Sequence, residues 1–143
     1  MAITQAMCTL FKKDLLLGDH HLDTDDIRIA LYTSSASLGA STDAYTTSNE
    51  ITNTSGSAYS AGGKQLTSVA VAENSTSGVF DAADPEWTSA TFTARGALIY
   101  NDSASGDPAV CILDFGSDKS SSSGNFTIVF PTADASNAII RIA

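Results

Sequence analysis

From Asp26 to the C-terminus the chain is a succession of short β-patterned runs, each cut off by Gly, Ser, Asp or Asn. That punctuation constrains the fold more than any other feature. "IRIALYT" (Ile27 to Thr33) alternates, and "QLTSVAVAE" (Gln65 to Glu73) is rich in residues that favour strands. "GVFDAA" follows a turn built from Asn74 to Ser77, and "ATFTARGALIY" (Ala90 to Tyr100) is long, with Gly96 expected at a bulge or bend. "AVCILDF" (Ala109 to Phe115) is apolar enough for a central strand. "NFTIVF" (Asn125 to Phe130) puts Phe126, Ile128 and Phe130 on one face, and "AIIRIA" (Ala138 to Ala143) closes the chain. About seven or eight strands with turn signals between them, and no repeated crossover helices, predict an all-β antiparallel sandwich or jelly roll.

Before the strands comes one helical pattern. Ile3, Ala6, Met7, Leu10, Phe11 and Leu17 fall on one face at helical spacing, with Thr4 as N-cap and Gly18 as stop. The expected organisation is one domain over 1–143: a helix or docking segment over 1–18, then a sandwich over 26–143. At 143 residues such a domain buries about 68–70% of its unfolded surface. The stretch from Ser34 to Gly63 is poor in apolar residues and too long for an ordinary connection, so it is expected to hold an extended arm or short edge strands. The helix packs either on its own core or on a neighbouring subunit.

Charge narrows the partners. Sixteen acidic against seven basic residues leave a formal charge of −9. Nucleic acid and anionic membrane surfaces are disfavoured, because both are held through Lys and Arg. No apolar run is long enough to span a bilayer, and no secretion signal is readable. Cys8, in the helical pattern, and Cys111, in a strand, read as small core residues rather than a disulfide. Asn-x-Ser/Thr sequons at Asn53, Asn74, Asn101 and Asn125 carry no weight in a chain so rich in these residues.

The chemical motifs dissolve one by one. "GSAYSAGGKQLT" looks like a phosphate loop, but Ala58 stands where the first glycine belongs, Gln65 follows Lys64, and a strand rather than a helix comes next. Gly62-Gly63 is a turn. In "GDHHLDTDD" the adjacent His20 and His21 diverge, and Asp23-Thr24-Asp25-Asp26 departs from a calcium loop at Ile27; a solvated helix-to-strand turn is expected. No Gly-x-Ser-x-Gly occurs, and "DFGSDK" reads as a strand end entering a turn. Trp87 is expected at least half buried as a core or interface anchor. No catalytic set, metal site or cofactor is predicted.

Four blocks carry a resemblance: "FKKDLLLGDHHLDTDDIRIALYTSSASL", "AYTTSNEI…YSAGGKQL", "DPEWTSATFTARGALIYND" and "AVCILDFGSDKSSSSGNFTIVFP". From Phe11 onward the chain resembles a family of small structural proteins of tailed-bacteriophage genomes, nearest to jelly-roll capsid cement proteins. The resemblance implies a non-enzymatic decoration protein on the outer surface of the virion, trimeric, with the major capsid protein as partner. A tail- or fibre-associated protein and a glycan-binding sandwich, stacking sugar on Trp87, Tyr45 and Tyr59, are the alternatives. The candidate interface residues are Ile3, Met7, Leu10, Phe11, Tyr45 and Tyr59.

Overall fold

The computed structural model describes residues 2–52 and 54–143, so the sequon at Asn53 lies outside the described residues. The chain is an all-β sandwich with one short helix near its N-terminus. The larger sheet runs β1 (Ala6–Met7), β7 (Ala109–Thr127), β6 (Glu86–Asn101), β2 (Ile27–Tyr32), β3 (Lys64–Gln65). The smaller runs β4 (Ala70–Asn74), β5 (Ser77–Asp81), β8 (Ile140–Ile142). Phe80 and Ile140 of the smaller sheet belong to the same buried cluster as Leu31, Leu98, Ile99 and Ile112 of the larger. An aromatic knot of Trp87, Phe92, Phe126 and Tyr59 closes one end, with ring centroids 4.8–6.3 Å apart. Trp87 is buried, as its place at a strand start suggested.

The N-terminal segment departs from the helical reading. Ile3 bridges Leu38, Ala6 and Met7 pair with Ile112 and Cys111, and the helix α1 covers only Thr9–Leu17. Its N-cap is Cys8, not Thr4, whose amide donates to the Leu38 carbonyl. Gly18 does end it, in the left-handed conformation. The helical spacing misled because Ile3 and Cys8 are buried by a strand-like entry and Phe11 by the helix. Ile3 fills the space beside Gly96, where an added Cβ would stand 2.9 Å from its side chain. Leu17, expected on the core face, is 66% exposed and its neighbour Leu16 is 90% exposed.

Three strand boundaries also move. Gln65 to Glu73 is not one strand: Ser68 turns left-handed at φ 52°, sending β3 to one sheet and β4 to the other. Asp114 to Lys119 is not a turn, because β7 continues through the serine run to Thr127. Period-2 patterning is silent there, since residues 116–120 are exposed on both faces. The ladder is kept instead by Ser and Thr pairing with β6, as in the 2.7 Å contact between the Thr93 and Ser120 hydroxyls. The expected bulge at Gly96 is present, but its extra residues lie on β7, where 115–118 stand against Arg95. Phe126, Ile128 and Phe130 are all buried, as their alternation predicted. Only the first of them lies in a strand, since the amides of Ile128 and Phe130 turn to Pro85 and Asp84.

The 34–63 region holds single bridges, Tyr32 to Glu50 and Ala44 to Pro108, rather than edge strands. It nonetheless sends Ala36, Leu38, Ile51 and Tyr59 into the core.

Candidate functional site

Two surface features stand out once the strands are placed. The first lies beside β7. Beyond Ile112 this strand has β6 on one side and, among the described residues, no strand on the other. The chain returning through 128–131 stands off from that edge and leaves two adjoining cavities of about 480 and 230 Å³. Both are lined by Phe115, Ile128 and Val129; Phe126 and Lys119 complete one, Leu113 and Phe130 the other. Val129 is 76% exposed, so the groove carries an apolar rim in open solvent. The outer edge of β4, exposed over 70–73, is unpaired as well.

The second feature is a pocket of about 460 Å³ where α1 meets the turns that follow it. Leu10 and Asp14 come from the helix, Asp19 and His20 from the segment after Gly18, Asp43 and Ala44 from the long loop, and 104–106 with Pro108 from the β6–β7 connection. His20 is 7% exposed, which overturns the expectation of a solvated turn. It is drawn inward because its ring packs on Phe11, at 4.9 Å, and because Asn101 reaches it from β6. His21 remains in solvent.

Asn101 organises this corner. Its Oδ1 accepts from the amides of Ser103 and Ala104, so its other terminus must be the NH₂ group. That nitrogen donates to Asp25 Oδ2 at 2.7 Å and to His20 Nδ1 at 3.0 Å. With Nδ1 accepting, the neutral imidazole carries its proton on Nε2, and Nε2 is buried with no hydrogen-bond partner. Burial holds the His20 pKa below its usual 6.5 against the opposing pull of Asp14, Asp25 and Asp19. Burial pushes the Asp25 carboxyl up, but the His21 amide and the Asn101 amide more than offset it, and its pKa lies below 3.8.

Both shifts make the fold acid-sensitive. The unfolded chain takes up a proton on its histidine near pH 6.5 while folded His20 resists it, so stability declines as pH falls through and below that value. The Asp25 contribution is complete above 3.8 and is lost at still lower pH. Urea midpoints measured at about pH 7.5 and about pH 5 are expected to differ in the native chain, with the higher midpoint at the higher pH. In His20→Gln the difference should shrink. Equal native midpoints would refute the buried-imidazole account.

The sequence-predicted residues are placed as follows. Ile3, Phe11 and Tyr59 are spent in the chain's own core, while Met7, Leu10 and Tyr45 are partly exposed. Tyr45 and Tyr59 meet at Glu50, a buried carboxylate that accepts from both hydroxyls at 2.6 Å and from the Gly62 amide at 2.8 Å. Tyr45 stacks on Tyr100 at 4.7 Å, and Tyr59 and Trp87 are buried, so the three rings offer no common face to a sugar. Gly62 and Gly63 form a turn, and the Lys64 ammonium is taken up by the Glu86 carbonyl and the Trp87 ring. Cys8 and Cys111 are free and buried, with burial pushing their thiols up to about 11 and about 12. Among the described residues no group of three or more His, Cys, Asp or Glu is gathered to hold a metal, and no helix is long and apolar enough to cross a membrane.

Comparison with known proteins finds no matching family model, no matching curated protein and no matching solved structure.

Proposed function

We propose that this chain is a non-enzymatic decoration protein that binds the outer surface of a bacteriophage major capsid protein, as a trimer, and strengthens the filled head. The groove beside β7 carries this reading. It sets a row of unpaired main-chain groups next to an apolar trough lined by Phe115, Phe126, Ile128 and Val129. An extended segment of a partner satisfies both at once, pairing with the strand edge while its side chains enter the trough. The serine-rich stretch of β7 supports it too, since polar residues keep an open edge from pairing indiscriminately. The resemblance of the four sequence blocks supplies the partner, and the net charge of −9 suits an exterior position over one against packed DNA.

Heads lacking this protein are expected to assemble but to release DNA at lower temperature, and added purified protein should restore resistance. Because Val129 is largely exposed, Val129→Asp should leave the fold intact while weakening attachment to heads by about tenfold or more. DNA release against temperature, with wild-type and variant added back, reads both. Depleted particles that are equally heat-stable yet fail to adsorb to cells would replace this reading with a tail-fibre role.

A further inference from the structure

The pocket under α1 has features that no part of the capsid reading uses, and the inference drawn from it stands whether or not that reading holds. Its floor includes His20, nine-tenths buried, whose Nδ1 is committed to Asn101 and whose Nε2–H has nothing to donate to. A buried donor left unmet costs about 1–3 kcal/mol, so the site favours whatever brings it an acceptor. Its rim carries Asp14, Asp19 and Asp43, three carboxylates that only accept, while Leu10, Ala44 and Pro108 supply apolar wall.

These demands select a chemistry. A metal ion bound at His20 would need a bare Nε2, hence a proton on Nδ1, where Asn101 already donates. A phosphate or carboxylate would meet the Nε2–H but face three negative charges. An ammonium would suit the carboxylates but offers no acceptor to the imidazole. A hydroxyl does both, accepting from Nε2–H and donating to a carboxylate. Several hydroxyls on a frame with an apolar C–H face match the rim, the floor and the walls together. The volume of about 460 Å³ lies in the range of small-ligand sites.

We propose that this pocket is a saccharide-binding site for a neutral or amino sugar, in which His20 donates to a ring or hydroxyl oxygen and Asp19 and Asp43 accept from neighbouring hydroxyls.

The test is a titration of the full chain followed by the imidazole ¹H–¹⁵N signals of His20. The probes are glucose, galactose, mannose, N-acetylglucosamine and glucosamine, with glucuronate as anionic control and glycerol as acyclic polyol. At least one neutral or amino sugar is expected to shift the Nε2 signal saturably in the millimolar range, with glucuronate weaker. His21, in solvent, should not move. Asp19→Ala and Asp43→Ala, at exposed positions that leave the fold intact, should each weaken binding by about tenfold. His20→Gln should abolish it; if that variant fails to fold, the two aspartate variants still decide. No saturable shift with any sugar at tens of millimolar would overturn the proposal, leaving the imidazole satisfied by water alone. Glycerol binding as tightly as the best sugar would equally sink the saccharide assignment.

Discussion

Gly63→Ala is expected to prevent this chain from folding. Gly63 follows Gly62 in the turn that feeds β3, at φ 73°, a conformation costly to any residue with a Cβ. Strain alone would cost about 1–2 kcal/mol. The decisive fact is proximity: an added Cβ would lie 1.7 Å from the Ile29 carbonyl oxygen, 2.6 Å from its carbon and 2.8 Å from Ala30 Cα. Those atoms belong to β2, buried and paired with β6, so they cannot give way without opening the sheet. A loss above about 5 kcal/mol is anticipated, comparable to the whole stability of many domains. Gly62→Ala is the control. Its φ is 90°, but its Cβ would meet only the Tyr100 hydroxyl at 3.3 Å, the end of a side chain. Soluble yield and urea unfolding should separate the two, with Gly62→Ala folded and Gly63→Ala not. A cooperative transition from Gly63→Ala within about 2 kcal/mol of wild type would refute the close approach.

Glu50→Leu is the second large effect. The carboxylate is the common acceptor for Tyr45, Tyr59 and the Gly62 amide, and it stands beside the bridge that ties the long loop to Tyr32. Leucine fills similar volume but strands three donors, so a loss of about 3–5 kcal/mol is expected from urea unfolding. Glu50→Gln keeps one carbonyl for Tyr59 and Gly62 and should cost far less, about 1 kcal/mol. The tyrosines report the same change spectroscopically. Burial raises the Tyr45 pKa first, and the hydrogen bond and charge of Glu50 raise it further. In Glu50→Gln its ionisation should therefore move back toward 10, while Tyr59, raised mainly by burial, should remain high. An unchanged Tyr45 titration would remove Glu50 from the account.

Much of the fold was legible because alternation reports burial directly. The faces of β2, β6 and the Phe126–Ile128–Phe130 run follow from side-chain period alone. What escaped was decided by partners distant in sequence. Ile3 and Met7 have helical spacing from Phe11, yet their fate is fixed by Leu38 and Cys111. The serine run of β7 has no apolar signal, and its strand exists because β6 lies alongside it. His20 looked solvated among aspartates because the residue that buries it, Asn101, is 81 positions away. Val129 was the one site residue with a local signal, since alternation turned it away from its buried neighbours.

The pairing of β1 with β7 also sets a timetable. Met7 is among the first residues synthesised, and its partner Cys111 leaves the ribosome about a hundred residues later. At roughly 5–20 residues per second, Ile3, Cys8 and Phe11 spend about 5–20 s without the surface that covers them. The β6–β7 hairpin, joined by a short connection, needs no such wait and can zip as soon as it emerges. The segment made first is therefore the last to dock, and during translation it is the natural client for a chaperone.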